Sequence, residues 1–124
     1  MNISAVAEKY NLTASTIRYY ERIGLIPEVS RNSGGIRTFD QNDLKWIDFI
    51  SCMKAAGLPL DVLKRYTELV REGDKTLEER KNILIRERTE LKKRVVEMEA
   101  VINKLDHKIN DYEGLLLEKE QKMI

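Results

Sequence analysis

The sequence predicts a mainly α-helical protein in which a compact N-terminal domain is followed by one long helix. Both prolines, the only tryptophan, both phenylalanines and five of the six glycines lie within the first 73 residues. From about residue 76 onwards there is no proline and one glycine, Gly114, and Glu, Lys, Arg and aliphatic residues dominate. Turn-forming residues are typical of a folded domain, whereas a charged stretch without them favours a continuous helix.

The boundary between the two parts falls near Gly73. Glycine suits the position that follows a helix, and Thr76 with Glu79 matches the capping box of a new helix. We therefore predict a compact domain over residues 1–72, a long helix over 73–118 and a short tail over 119–124.

The overall composition excludes several classes of protein. The 124 residues carry 22 basic and 21 acidic side chains and one cysteine, for a net charge of +1. One cysteine cannot form an internal disulfide framework or a cysteine-rich metal site. The apolar runs are far shorter than the ~20 residues that span a membrane, and the N-terminus has no signal peptide pattern. We expect a cytoplasmic protein with no membrane partner, no metal and no cofactor.

An enzyme is not expected either. The sequence offers no Ser/His/Asp set and no glycine-rich phosphate loop. Its single histidine, His107, falls on the outer face of the predicted long helix.

The long helix carries two apolar series that each repeat every seven residues, offset as the a and d positions of a coiled coil. A helix of ~40 residues is ~60 Å long, more than the preceding domain can cover, so a second chain is expected to pack on it. Packing on its own domain is the alternative. Helix direction stays open, because attached domains also constrain it. The predicted dimerisation residues are Leu84, Leu91, Val95, Met98, Ile102, Leu105, Ile109 and Tyr112.

Near the N-terminus, two short helices joined by a tight turn at residues 11–13 indicate a helix-turn-helix. The second helix has apolar residues on one arc: Ile17, Tyr20 and Ile23. The opposite arc has basic and hydroxyl side chains and no carboxylate: Ser15, Arg18, Tyr19 and Arg22. Such side chains suit contacts with phosphates and guanine edges. A merely solvated basic face is the alternative.

A hairpin-like segment follows this helix. Gly34 and Gly35 favour a turn between two short strands, and Arg31 and Arg37 lie on either side of it. Arginines on both arms could grip the DNA backbone beside the helix. The segment therefore predicts a winged helix-turn-helix domain. A third helix is expected from near Asp40 to about Ala56 with an apolar face, listed as Trp46, Ile47, Phe49, Ile50 and Met53, and a fourth to about Arg71.

Three motifs resemble the MerR family of bacterial transcription regulators: TIRYYERIGLIP at 16–27, GIRTF at 35–39 and KAAGLPLDVL at 54–63. The resemblance implies a winged helix-turn-helix domain and an antiparallel coiled coil between two protomers. It also implies a homodimer on a palindromic operator in double-stranded promoter DNA. Such regulators act on RNA polymerase indirectly, because they untwist and bend the DNA between promoter elements.

The same resemblance implies roles for individual residues. Arg18 and Tyr19 would contact DNA, Tyr20 would partly pack and partly touch phosphate, and Lys54 would reach phosphate near the distorted centre. Ile36 and Phe39 stand where the family often has tyrosines, which removes at most a hydrogen bond at each. The full set predicted to contact DNA is Ser15, Thr16, Arg18, Tyr19, Tyr20, Arg22, Arg31, Arg37 and Lys54.

The candidate for sensing is Cys52, because the chain lacks the thiolates of soft-metal sites and of iron–sulfur clusters. It lies ~140° from the middle of the third helix's apolar arc, so we expect it at the domain edge. A single cysteine there resembles the NmlR/AdhR-like branch, which implies a response to reactive aldehydes through the thiolate. Three alternatives remain: an inert cysteine, a MerR-like repressor or activator dimer that responds to a non-covalent small molecule or to no effector, and a coiled-coil adaptor without DNA affinity.

Overall fold

The computed structural model describes residues 1–122, apart from the side chains of residues 116–119 and 121–122. Helices α1 (Ile3–Lys9), α2 (Ala14–Arg22), α3 (Gln41–Ala55), α4 (Leu60–Glu72) and α5 (Leu77–Lys122) follow one another, with a 3-10 turn (Asp74–Thr76) before α5. The predicted mainly α fold is confirmed. None of the helices, as far as they are described, is both long and apolar enough to cross a membrane.

The chain forms two compact units whose division falls within α5. The first unit is Met1–Ile85, and the second begins at Arg86. Helix α5 also continues through residues 119–122 of the predicted tail. Residues 123 and 124 lie outside the described residues. So does the side chain of Leu116, which continues the seven-residue series of Val95, Ile102 and Ile109 in the sequence.

Side-chain caps explain where the first three helices begin. The Asn2 and Thr13 side chains accept hydrogen bonds from the Ala5 and Thr16 amides at 2.9 and 3.0 Å. At the start of α3, Asp40 and Asp43 form a capping box in which each carboxylate accepts from the other's amide, at 2.9 and 3.0 Å. Helices α2 and α3 therefore begin at the positions that the sequence predicted.

The core of the first unit is mostly aliphatic and is shared by α1, α2, α3, α4 and the segments that follow α2. On α3, Ile47 and Ile50 are completely buried, while Trp46, Phe49 and Met53 pack against the core and remain partly accessible. The predicted core face of α3 is therefore confirmed, and Leu44 joins it. The buried apolar residues that line this core are Val6, Ile17, Tyr20, Leu25, Ile26, Val29, Phe39, Leu44, Ile47, Ile50, Leu58 and Leu63.

The predicted wing is less regular than a β-hairpin. Over the described residues it contains one isolated antiparallel bridge, Arg31 to Arg37, instead of two strands. The Asn32 side chain accepts hydrogen bonds from the Gly34 and Ile36 amides at 2.9 and 3.1 Å, which closes the turn internally. Local side-chain bonds thus replace part of the strand pairing.

The joint between α4 and α5 also differs from the expected capping box. Gly73 has a φ of +92°, which ends α4 in a conformation that other residues rarely adopt. Thr76 is buried, and its hydroxyl donates to the Leu69 carbonyl oxygen at 2.6 Å, with the Gly73 carbonyl oxygen at 2.8 Å. Thr76 therefore bonds back to α4 instead of capping α5 with Glu79.

Candidate nucleic-acid interface

One side of α2 is exposed and carries the predicted polar arc, which we call the recognition face (Ser15, Arg18, Tyr19 and Arg22). Tyr19 is 39% exposed, whereas Ile17 and Tyr20 on the other side are only 1% and 7% exposed. The Arg22 guanidinium carbon lies 5.3 Å from the centroid of the Tyr19 ring, within cation–π distance. The amphipathic division of the helix is thus present, with guanidinium and phenol groups open to a ligand.

Two predicted contact residues on α2 have partners inside the protein. The Thr16 hydroxyl lies 2.8 Å from the Thr13 hydroxyl, within the N-terminal cap. Tyr20 lies mostly in the core, and burial raises the pKa of its phenol. The expected packing role of Tyr20 is confirmed, while its contact with phosphate stays a prediction.

Glu21 links α2 to the wing, a role that sequence reasoning missed. One carboxylate oxygen accepts from the Val29 amide at 2.7 Å, and the other accepts from Arg37 Nε at 2.9 Å. The Arg37 and Glu21 side chains are only 20% and 14% exposed, so water screens this ion pair less than a surface pair. The sequence places an acidic residue beside Arg22 but contains no local pattern that would pair it with a residue 16 positions later.

The two arginines of the wing are held differently. Arg31 is exposed and donates from Nη1 to the Gly35 carbonyl oxygen at 2.7 Å across the turn. Arg37 is oriented by Glu21 through Nε, which leaves the terminal nitrogens of its guanidinium as further donors. The geometry therefore anchors Arg37 to α2, so the recognition helix and the wing form one connected surface.

The end of α3 places Cys52 and Lys54 at the surface. Cys52 is a free, exposed cysteine, as its position on the helical wheel predicted. Lys54 is exposed in the last turn of the same helix, while Met53 between them packs against the core. Among the residues that the structure describes, no group of three His, Cys, Asp or Glu side chains could hold a metal ion.

The second unit exposes many large apolar side chains. Six of the eight predicted dimerisation residues form what we call the apolar stripe, and they are between 47% and 63% exposed. Val101 and Leu115, which are 55% and 54% exposed, lie at positions beside the predicted seam and widen it. Leu84 is 37% exposed and Leu91 is half-buried. The stripe comprises Val95, Met98, Ile102, Leu105, Ile109 and Tyr112.

Two protein-family models match the part of the chain that contains these features. The model of the MerR HTH family regulatory protein matches residues 1–69, and the model described as MerR, DNA binding matches residues 44–108. The chain belongs to the MerR family. The matched models describe a helix-turn-helix regulatory protein and a DNA-binding region, which is the class to which this chain belongs.

Individual MerR-family proteins are also similar to this chain. The HTH-type transcriptional regulator AdhR of Bacillus subtilis is 57% identical over 91 residues, which cover 73% of this chain and 65% of AdhR, less than two thirds of its length. A MerR-family structure from Listeria monocytogenes shares 44% identity with a TM-score of 0.91, covering 99% of this chain and 93% of that one. HiNmlR, a MerR-family regulator lacking the sensor domain and bound to promoter DNA, shares 32% identity with a TM-score of 0.83, covering 90% and 89%.

Proposed function

We propose that this MerR-family regulator binds a palindromic promoter operator as a homodimer and activates transcription by distorting the DNA. We further propose that it works in the cytoplasm and responds to reactive aldehydes or related electrophiles through Cys52. The observation that carries the DNA-binding part is the exposed recognition face of α2, joined by Glu21 to the wing.

The recognition face has the chemistry that DNA contacts require. Arginine side chains can donate to phosphates or, in pairs of hydrogen bonds, to guanine edges in the major groove. Arg18 and Arg22 are exposed on α2, and Arg31 and Arg37 lie on the adjacent wing. A helix in the groove with a wing on the neighbouring backbone uses all four. The similarity to HiNmlR, whose structure contains promoter DNA, supports this arrangement.

The apolar stripe of α5 supports homodimerisation. Contiguous apolar surface is rarely left exposed on a soluble protein, and the heptad spacing of these residues suits a coiled coil with a second helix. A symmetric dimer presents two recognition helices, so a palindromic operator with two half-sites fits it.

Activation follows from the geometry of such a dimer. Two recognition helices at a set separation can engage two half-sites together only when the DNA between them takes the required twist and bend. The cost of that deformation is offset by contacts at both half-sites. RNA polymerase then meets promoter elements in a different relative orientation, which is an indirect interaction through the DNA.

Cys52 is proposed as the sensor because its thiol is exposed, two positions before Lys54 on α3, and because AdhR is 57% identical over the matched stretch. The thiolate sulfur would attack the carbonyl carbon of an aldehyde, forming a C–S bond while the carbonyl π electrons move to oxygen. The oxygen then takes up a proton to give a hemithioacetal, without net oxidation. The adduct would shift the dimer between repressing and activating shapes.

A transcription experiment tests the sensor. We expect Cys52→Ser to bind the operator like the unaltered protein but to lose the methylglyoxal-dependent increase in transcripts made by purified RNA polymerase. The matched control is Ser4→Cys in the Cys52→Ser protein, which restores an exposed thiol on α1. It should remain unresponsive, and an undiminished response in Cys52→Ser would contradict covalent sensing.

One observation favours a second candidate, a dimer that responds to a non-covalent small molecule. The first unit contains a pocket of about 120 Å³ that is partly open to solvent and is lined by Leu25, Pro27, Trp46, Thr67, Val70 and Arg71. A cavity of similar size can hold a small apolar molecule. This candidate predicts that the response survives Cys52→Ser and disappears when Val70→Trp fills the cavity.

A further inference from the structure

The chain leaves α2 through a turn whose carbonyl groups are bound by α4. The Gly24 carbonyl oxygen accepts from Arg71 Nη2 at 2.7 Å. It also lies 3.1 Å from Thr67 Oγ1, whose one hydroxyl hydrogen is shared with the Lys64 carbonyl oxygen at 2.9 Å. The Ile26 carbonyl oxygen accepts from the same Arg71 nitrogen at 3.3 Å. Thr67 and Arg71 are four residues apart, so they lie on one face of α4. We call these contacts the α4–α2 clamp.

Gly24 is shaped for this clamp. Its φ is +81°, and a β-carbon built on it would lie 2.9 Å from Arg71 Nη1. A side chain there would strain the backbone and also push the guanidinium away from the carbonyl oxygens. The backbone conformation of Gly24 therefore favours glycine, and its carbonyl group meets a guanidinium 47 positions later in the chain.

A pocket that is partly open to solvent lies beside these hydrogen bonds. This pocket of about 120 Å³ borders the clamp, with Thr67 and Arg71 in its wall. Side chains that line an open pocket have no packed protein neighbours on that side, so hydrogen bonds contribute more to fixing their positions. The orientation of the end of α2 is therefore sensitive to the bonds from Arg71 and Thr67.

The other end of this connection is the α4–α5 joint. Thr76 donates to the Leu69 carbonyl oxygen at 2.6 Å, and Arg80 Nη2 donates to the Gly73 carbonyl oxygen at 3.4 Å. The last turn of α4, which carries Arg71, is thus hydrogen-bonded to the start of α5. A displacement of this joint moves the guanidinium that holds α2.

We propose that Arg71, assisted by Thr67, is a positioning residue for DNA recognition. It sets the orientation of α2 and carries movement of the α4–α5 joint to the recognition face. The inference rests on the DNA-binding function and adds a residue that does not itself touch DNA. Arginine suits the role better than lysine, because a planar guanidinium holds neighbouring acceptors in a defined geometry.

The test compares binding to specific and non-specific DNA. The probe is a duplex selected from a random pool by the unaltered protein, and the second ligand is a duplex of scrambled sequence. We expect Arg71→Met and Arg71→Lys each to weaken binding to the selected duplex about tenfold, with binding to the scrambled duplex unchanged. The matched control is Arg65→Met on the same helix, whose guanidinium pairs with Glu68 and Glu79. It should bind the selected duplex normally.

Salt dependence separates positioning from direct phosphate contact. If Arg71 positions α2, the slope of log affinity against log salt concentration stays unchanged in Arg71→Met. A slope reduced by about one, with recovery in Arg71→Lys, would show a phosphate contact and overturn the proposal.

Thr67→Val keeps the test informative if Arg71→Met folds poorly, because it replaces only a hydroxyl by a methyl group of similar size. We expect Thr67→Val to lose less affinity for the selected duplex than Arg71→Met. In the double variant the fold-loss of affinity should be smaller than the product of the two single fold-losses, since both residues contact the Gly24 carbonyl oxygen. Unchanged specific affinity in both single variants would overturn the inference alone. Failure of the unaltered protein to enrich any duplex would overturn DNA binding itself, and with it this inference.

Discussion

In the first unit Ile47, Ile50 and Leu63 are at most 2% exposed, whereas in the second unit Met98, Ile102 and Leu105 are at least 54% exposed. Both units contain aliphatic side chains at helical spacing, but only the first has neighbouring elements within the chain to cover them. The hydrophobic effect favours covering both sets. The comparison supports the proposed roles of the two units: the first presents a polar face for DNA, and the second presents an apolar stripe for another copy of the chain.

The largest effect is expected from changing the apolar stripe of the second unit. Changing Ile102 and Leu105 together to Asp would place charges in the proposed seam, where burial is very costly. We expect a monomer by light scattering and a loss of operator affinity of roughly 100-fold or more, because one half-site is lost. Val96→Asp is the control, since Val96 is 65% exposed and lies outside the a and d positions. Dimer loss in that control would show that the seam is assigned wrongly.

Within the first unit, Arg18 and Lys54 are expected to contribute in different ways. Arg18→Ala should cost about 1–3 kcal/mol of binding to the selected operator and relax its sequence preference, because Arg18 lies on the recognition face. Lys54→Ala should weaken binding uniformly across sequences and lower the salt slope by about one. Quantitative gel shifts on operator variants at several salt concentrations measure both. Identical behaviour of the two variants would contradict the separate roles.

A smaller effect is expected from the ion pair that joins α2 to the wing. Glu21→Gln keeps an acceptor for the Val29 amide but removes the charge that faces Arg37. We expect the free energy of unfolding in urea to fall by about 1 kcal/mol, since the bond is charge-assisted and partly buried. Glu68→Gln is the matched control, because the Arg65–Glu68 pair is 49% and 45% exposed. It should cost only a few tenths of a kcal/mol, and an equal cost would show that burial adds nothing.

The smallest expected effect concerns pH. Burial raises the pKa of the Asp43 carboxyl above its ordinary value of 3.8, against the opposing effect of its hydrogen bond from the Asp40 amide. The protonated carboxyl is thus favoured in the folded state, so its stabilising contribution is present below pH 3.8 and is lost as the pH rises through the folded-state pKa. As the pH rises from below 3.8 through the folded-state pKa of Asp43, the free energy of unfolding of Asp43→Asn should decline less than that of the unaltered protein. Asp48→Asn, an exposed change on α3, should retain the decline.

Local chemistry allowed much of the first unit to be predicted. Thr13 and Asp40 are cap residues at the helix starts where the sequence placed them, and the buried Ile17 and exposed Arg18 follow from helical periodicity. The wing was predicted as two strands, because Gly34 and Gly35 suit a hairpin. Strands extend from a turn only when backbone groups pair over several residues. Here the Gly34 and Ile36 amides donate to the Asn32 side chain and not to a backbone carbonyl group.

The sequence by itself determined the helices, the polar face of α2, the exposed position of Cys52 and the heptad pattern of α5, because each depends on residues a few positions apart. Only the tertiary structure decided which distant groups meet. Glu21 binds Arg37, and Arg71 binds the Gly24 carbonyl group. The Thr76 hydroxyl, which the sequence predicted as a helix cap, donates to the Leu69 carbonyl oxygen. Helical spacing sets neighbours one turn away, whereas these partners are set by how whole helices pack, and no local pattern contains that information.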